Sequence, residues 1–183
     1  GELGIAGFTI ELGTEFFEKC DIFENDIVPK NIPMLTYAAK ASRAPYVAPQ
    51  GPEVYDLKLN GISGNLAVKP GTQVSFTASV DDSRHSTRKG TEPSQTVSQV
   101  EYYINTPDWD GGTAIVMAAD DGSMNETNEA VTAAINTSGW TEGKYMLMAR
   151  AKDSNGVWGV YTATYLEIDN NAEAKETSIN HAF

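Results

Sequence analysis

Residues 69–80 read KPGTQVSFTASV, and this stretch decides the fold. Pro70 and Gly71 are a turn signal, and strict alternation follows it: serine and threonine separate the apolar residues Val74, Phe76, Ala78 and Val80. An apolar residue at every second position is typical of a strand that has one face in a core and the other in water. The stretch therefore predicts a half-buried strand that is entered from a tight turn.

Similar runs occur on both sides of this strand, and short turns rich in glycine, proline and aspartate separate them. They cover residues 54–59, 100–104, 145–151 and 161–168. Several short strands at this spacing, with no long helix between them, predict an antiparallel β-sandwich of the immunoglobulin or fibronectin type. The Cys–Trp–Cys pattern of antibody domains is absent from the sequence, so the prediction concerns the architecture alone.

The residues before this region follow a different pattern. Phe8, Ile10 and Leu12 alternate like a short strand, and we expect a helix after them that begins with Asn31 as its N-cap and ends before Pro45. The sequence thus predicts a mainly β protein in four parts. They are a strand-plus-helix segment (1–45), a Pro-rich linker (46–52), the β-sandwich (53–169) and a flexible tail (170–183).

The composition is that of an acidic globular protein, with 25 Asp and Glu against 13 Lys and Arg and a net charge of −12 in 183 residues. Such a surface repels phosphate groups, so we expect no nucleic-acid partner and no binding to anionic membranes. No apolar run reaches the roughly 18 residues of a transmembrane helix, so no membrane span is expected. The chain starts at Gly1 inside an apolar stretch, and we expect it to be a piece of a longer protein.

Residues 8–13, FTIELG, carry the motif with the clearest chemical meaning. They resemble the Phe-Thr-x-Glu-Leu strand of the secreted zinc carboxypeptidases of the carboxypeptidase A and T family, and the flanking residues 4–7 and 16–17 fit its bacterial branch. The resemblance implies that residues 1–45 are the end of an α/β catalytic domain. It also implies that Glu11 is the general base that takes the proton from a zinc-bound water.

The same resemblance implies a full-length enzyme that is secreted, periplasmic or on the bacterial cell surface and hydrolyses C-terminal bonds of peptide or protein substrates. The zinc site of the family uses a His-x-x-Glu pair and a distant histidine. The two histidines of this chain, His85 and His181, do not fit that pattern. We therefore expect the Zn²⁺ ligands and the substrate-binding residues outside this chain, which should be inactive alone.

The β-sandwich region has a resemblance of its own. Residues 121–123, 129–138, 143–145 and 151–159 resemble the β-sandwich modules that follow secreted bacterial peptidase domains. The resemblance implies an accessory domain and no particular chemistry. The alternative function is a non-catalytic binding or adhesion module whose first 45 residues only look like the end of a peptidase.

Acidic loops are the main chemical feature of this region. Between Lys89 and Lys144 there is no basic residue, and two oxygen-rich stretches contain the candidate Ca²⁺ ligands Asp108, Asp110, Asp120 and Asp121. Calcium binds six to eight oxygen atoms, and extracellular modules often bind it weakly. Neither stretch has the spacing of an EF-hand loop. Calcium binding and a plain solvated acidic surface both remain open.

Three tryptophans raise a carbohydrate-binding hypothesis, because sugar rings stack on exposed aromatic side chains. We expect Trp158 to pack at one end of the core, Trp140 to pack under a loop, and Trp109 alone to be exposed.

Two further expectations concern residues 1–45. Cys20 either pairs with a cysteine outside this chain or is a buried thiol. The apolar strand at residues 5–12 either packs on the sandwich, pairs with a second copy across an exposed edge, or frays. Of these we expect pairing between copies, which would form a homo-oligomer.

Overall fold

The computed structural model describes residues 13, 15, 17–42, 51–84 and 93–172. The chain divides into two compact units, residues 1–49 and residues 50–183. Several predicted features lie outside the described residues. These are the strand at residues 5–12 with Glu11, most of the linker, both histidines and residues 173–183 of the tail.

The first unit contains one helical stretch with a wider turn near its start. Helix α1 (Cys20–Ile22) leads into a π-helical turn (Phe23–Ile27) and then into helix α2 (Val28–Ala41). Pro29 has no N–H to donate to the carbonyl of Asn25, four residues earlier, so regular α-helical bonding is interrupted at this point. The N–H of Val28 bonds instead to the carbonyl of Phe23, which is the spacing of a π-turn.

The predicted helix start at Asn31 is wrong, because the helix begins eleven residues earlier at Cys20. The side chain of Asn31 does not cap a helix; its Nδ2 donates to the carbonyl oxygen of Ile27 at 2.8 Å, one turn back within the helix. Cys20 is exposed and free, so the buried-thiol alternative is also wrong. Ile27 is the one buried residue among those described in this unit. Six large apolar residues of the helix are exposed: Ile22, Phe23, Ile32, Met34, Leu35 and Tyr37.

The second unit is an Ig-like β-sandwich, as the alternating pattern predicts. Its described strands are β1 (Glu53–Leu59), β2 (Ile62–Ser63), β3 (Leu66–Val68), β4 (Gln73–Asp81), β5 (Val97–Ile104), β6 (Ile115–Val116), β7 (Ala118–Ala119), β8 (Asn128–Asn136), β9 (Gly143–Asp153) and β10 (Thr162–Ile168). Sheet A has the strand order β2-β1-β4-β8-β7, and sheet B has the order β3-β10-β9-β5-β6. All pairings among these strands are antiparallel except that of β3 with β10.

The core lies between the inner faces of the two sheets. The apolar residues of β4 point into it, and Phe76 meets Tyr102 of β5 edge-on, with ring centroids 5.4 Å apart. Leu147, Ala149 and Ala151 of β9 complete the opposite wall, each fully buried. The alternation read from β4, β5 and β9 therefore identifies the core-facing residues of these strands.

Strand β8 was not predicted, although it pairs with β4 along nine residues. Its central sequence is small and polar, with Ala130, Thr132 and Ala134 on the outer face. Alanine has a low strand propensity, so this segment lacks the β-branched alternation of its neighbours. Pairing with β4 and the burial of Val131 and Ile135 keep it extended.

One side of the sandwich is closed by a segment that changes sheets. Ile115 and Val116 pair with β5 of sheet B, and two residues later Ala118 and Ala119 pair with β8 of sheet A. Met117 lies between the two pairs and is buried in the core. No helix among the described residues has both the length and the apolar character that a membrane span requires.

Candidate functional site

The outer face of sheet B carries a buried polar group, which is unusual for a face turned away from the core. Strand alternation directs Glu101 and Tyr103 of β5, and Met148 and Arg150 of β9, to this face. Yet Glu101 is only 4% exposed and Tyr103 only 3%. A short 3₁₀-helix (Asp108–Asp110) follows β5, and the group draws its outer members from that turn and from the segment before β10. We call the group formed by Glu101, Tyr103, Asp108, Arg150 and Tyr161 the Arg150 cluster.

Arg150 joins the strands to the 3₁₀-helix. Its Nε donates to Glu101 Oε1 at 2.9 Å, and its Nη1 donates to Asp108 Oδ2 at 2.8 Å. Its Nη2 donates to the hydroxyl of Tyr103 at 3.1 Å. The guanidinium plane also stacks on Trp158, 4.2 Å from the ring centroid. A planar cation with five donors suits such a site, because it can serve two carboxylates and an aromatic face together.

Every carboxylate oxygen of the cluster accepts at least one hydrogen bond from a side chain. Glu101 Oε1 also accepts the Tyr103 hydroxyl at 2.6 Å, and its Oε2 accepts Gln99 Nε2 at 3.1 Å. Asp108 Oδ1 accepts the Tyr161 hydroxyl at 2.8 Å. The group is therefore satisfied by the protein itself, which is how a buried charge is held without a large penalty.

The proton affinities follow from these contacts. Burial by itself raises the pKa of Asp108, but the hydrogen bond from Tyr161 and the charge of Arg150 outweigh it, so this pKa lies below its ordinary value. Burial, and then the bond to Asp108, raise the pKa of Tyr161 far above its ordinary value. Burial acts to lower the pKa of Arg150, but the bond to Glu101 and nearby negative groups raise it. At neutral pH the cluster thus holds an ionised Asp108, a charged Arg150 and a neutral Tyr161.

This arrangement holds a loop in place, because Asp108 of the loop is bonded both to Arg150 and to Tyr161. Because Trp109 directly follows Asp108 in the 3₁₀-helix, the bonds of Asp108 also determine where Trp109 lies. Trp109 is 42% exposed and meets the Tyr161 ring edge-on, with centroids 5.2 Å apart. An indole is thereby displayed on a loop that two strongly bonded side chains fix.

A depression of about 340 Å³ lies beside the same loop. It is lined by Ile104, Thr106, Gly111, Gly112, Thr113 and Ile115. A Cβ atom at Gly112 would overlap the carbonyl oxygen of Thr106, so the loop can close this tightly only with glycine there. The depression combines two apolar side chains with two threonines, a mixture common in ligand sites.

The predicted calcium ligands are not gathered into one site. Asp108 is bonded to Arg150 and Tyr161, whereas Asp121 accepts the N–H of Ser123 at 2.9 Å and so closes its own turn. Asp110 and Asp120 are exposed. Within the described ranges, no group of three or more His, Cys, Asp and Glu side chains could hold a metal ion. Calcium binding stays a prediction, and the place of Glu11 lies outside the described residues.

The three tryptophans lie in different environments. Trp109 is exposed, as predicted, and Trp140 packs on Tyr145 with centroids 4.4 Å apart, also as predicted. The expectation that Trp158 packs at the end of the core is wrong. It lies on the outer face of sheet B, because Arg150 and Lys152 of β9 both reach over its ring.

Comparison with known proteins gives no family. No protein-family profile matches the chain, and no curated protein is similar to it in sequence. Solved structures similar to the chain include the fibronectin(III)-like modules of CbhA from Clostridium thermocellum, at 14% identity and a TM-score of 0.37, over 62% of this chain and 96% of that one.

Two other solved structures are similar at comparable levels. The PKD domain of an M14-like peptidase from Thermoplasmatales archaeon SCGC AB-540-F20 has 18% identity and a TM-score of 0.35, over 65% of this chain and 93% of that one. OgpA from Akkermansia muciniphila has 13% identity and a TM-score of 0.42, over 67% of this chain and 28% of that one. At these values the similarities say nothing about the activity of this chain.

Sequence reasoning missed the Arg150 cluster. The signal was present in part, because the alternation that sends Tyr102 and Ala149 inward must send Glu101 and Arg150 outward. The sequence does not reveal that β5 and β9 are neighbours, which brings Glu101 opposite Arg150. Nor does it show that the loop after β5 folds back over them.

Replacing Arg150 with methionine should be strongly destabilising, because it leaves the buried carboxylate of Glu101 without its cation. We expect a loss of about 3–5 kcal/mol in the free energy of unfolding, and recovery of a large part of it in the double variant Glu101→Gln/Arg150→Met. Urea denaturation measures both. Lys144→Met, on the same strand but exposed, is the matched control and should change stability by less than about 0.5 kcal/mol. Equal losses for Arg150→Met and Lys144→Met would contradict the role of the cluster.

Tyr161 should make the domain sensitive to alkali. Its pKa is raised in the folded state, so the unfolded chain releases this proton first as the pH rises past the ordinary value of about 10. Stability that is complete below that pH is therefore lost above it. Urea midpoints measured across this range should fall less steeply in Tyr161→Phe than in the wild type. Tyr165→Phe, an exposed tyrosine outside the cluster, should keep the wild-type slope; a slope unchanged in Tyr161→Phe would refute the assignment.

Proposed function

We propose that this chain is a non-catalytic binding or adhesion module that contacts its partner through the loop around Trp109. The observation that carries the proposal is the exposed indole on a 3₁₀-helix that Arg150 and Tyr161 hold through Asp108. A side chain fixed before binding loses little conformational freedom when a partner arrives. The Arg150 cluster supports binding rather than catalysis, because its acid and base groups are bonded to one another.

The partner class that fits this surface best is a neutral carbohydrate. The flat face of an indole stacks on the C–H face of a sugar ring, and the adjacent depression is lined by Thr106 and Thr113 beside Ile104 and Ile115. The acidic character of the chain, −12 overall, disfavours anionic sugars.

Trp109→Ala should weaken binding to a neutral polysaccharide at least tenfold, because the stacking surface is lost. The measurement is depletion of the protein from solution by insoluble cellulose, chitin and xylan, with the fold checked by urea denaturation. Tyr165→Ala removes another exposed aromatic residue, on β10, and should bind like the wild type. Absence of wild-type binding to all three polymers, or equal binding by Trp109→Ala, would refute the proposed contact.

A second candidate function is that of the C-terminal part of a zinc metallocarboxypeptidase, with the sandwich as its accessory domain. It is supported by the sequence motif at residues 8–13 alone, of which only Gly13 is among the described residues. In this proposal Glu11 is the general base and an exported bacterial enzyme supplies the Zn²⁺ ligands from residues upstream of this chain. The β-sandwich is compatible with both functions.

The carboxypeptidase proposal is tested in the longer protein. Its reading frame should encode a His-x-x-Glu pair and a later histidine upstream of Gly1. Glu11→Gln should then lower kcat on a peptide substrate by roughly 10²–10⁴-fold, because the base is gone, while the zinc content stays at one per chain. Glu18→Gln is the matched control in the same segment and should retain activity. A reading frame without these residues, or near-normal activity of Glu11→Gln, would exclude this function.

Calcium stabilisation of the module is a further proposal, and its support is the oxygen-rich sequence of the two acidic loops. Thermal unfolding with EDTA and with added Ca²⁺ tests it, since a bound ion raises the melting temperature. Equal melting temperatures in both conditions would exclude it.

A further inference from the structure

The edge of sheet A at β8 is only half covered. Strand β7 pairs with Val131 and Thr132, and no described strand continues along the rest of β8 on this side. The open part borders a groove of about 580 Å³ between the edges of the two sheets. Its walls come from both sheets and include Tyr102, Ile115 and Val116 of one sheet and Ala133 and Ala134 of the other.

The backbone of β8 points its hydrogen-bonding groups into this opening. Ser75, which lies opposite Ala134, bonds with both its N–H and its C=O to Asn60, on the side away from β8. In an antiparallel pair of strands, two directly opposite residues either bond to each other through their backbone N–H and C=O groups or both point these groups to the far sides of the pair. Ala134 therefore turns its N–H and C=O to the open edge, as does Asn136 two residues later. Ala130 follows the same rule, since its carbonyl accepts the N–H of Asp120 on that side at 2.8 Å.

The sheet change at Met117 is the reason for the opening. If β7 extended backward in register, Val116 would lie opposite Ala134 and would bond to it. Val116 pairs with Glu101 of sheet B instead and is 65% exposed. The edge thus offers an incomplete ladder together with an apolar wall, which is a template for another strand.

The chain itself contains a segment with the properties of the missing strand. Residues 5–12 lie outside the described residues, and Phe8, Ile10 and Leu12 alternate with Thr9 and Glu11. Such a strand has one apolar face for the groove and one polar face for water. None of the described residues that line the groove is charged, although the chain as a whole is strongly acidic, so the groove suits the apolar face of the strand. The described part of the first unit contains no strand with which this segment could pair.

We propose that residues 5–12 of one copy add as a strand to the open edge of β8 in a second copy, opposite Ala134 and Asn136. Exchange in both directions gives a symmetric dimer, because each copy has one such segment and one such edge. The proposal rests on the open edge of sheet A and not on Trp109, although Ile115 lines both the groove and the depression beside the Trp109 loop.

The test is the mass of the full chain in solution, measured by light scattering across a concentration series. We expect a dimer for the wild type and a monomer for Ala134→Pro, because proline removes the N–H and blocks a strand on this edge. Ala134→Ser keeps the N–H and should remain dimeric. The fold of each variant is checked by its urea midpoint.

Two charge substitutions test the same contact without placing proline in β8. Val116→Asp places a charge on the groove wall and Ile10→Asp places one on the added strand, and each should raise the concentration at half-dimerisation at least tenfold. Ala163→Asp, exposed on the outer face of sheet B, is the control for added charge and should dimerise like the wild type. A wild type that is monomeric at all concentrations, or a dimer that survives Ala134→Pro, Val116→Asp and Ile10→Asp, would overturn the proposal.

Discussion

The packing of β4 between β1 and β8, with its apolar side chains against β5 and β9, is the constraint on which the rest of the domain depends. Phe76 lies edge-on to Tyr102 at the centre of this contact. A shift of one residue in the pairing of β4 would turn Phe76 and its apolar neighbours outward. The cost of exposing four buried apolar side chains, about 1.5–3 kcal/mol for each larger one, holds the register firmly.

The same constraint determines the chemistry of the outer surface. Because Val100 and Tyr102 must face inward, Glu101 and Tyr103 must face outward, and the register of β5 with β9 sets Glu101 opposite Arg150. The cluster is therefore built on two strands whose inner residues form part of the core. Asp108 bonds to Arg150 and so attaches the following loop to the cluster. The position of Trp109, the next residue, therefore depends on the strands that form the core. Its charges are bonded to one another, which favours a structural role over catalysis.

Local pattern accounts for what could be predicted. The alternation of apolar and polar residues predicts strands β1, β4, β5, β9 and β10, and these five strands were enough to identify a β-sandwich. The features that were missed depend on contacts between distant residues. The alanine-rich β8 is extended because β4 pairs with it. Trp158 lies on the outer face of sheet B, where its ring contacts Arg150. The helix start was misplaced since Asn31 has the chemistry of a cap, while its side chain bonds to Ile27 inside the helix.

The position of the last strand has a consequence for how the domain is made. Strand β10 lies inside sheet B, parallel to β3 and antiparallel to β9, so two neighbours depend on the final described segment of the sandwich. Among the described strands of the sandwich, β10 is the last to be synthesised by the ribosome. Sheet B therefore stays incomplete, with the edges of β3 and β9 unsatisfied, until Ile168 has left the exit tunnel. Folding of this module is a late event that follows synthesis of the whole domain, and a chain that ends before Thr162 is exposed to aggregation through those edges.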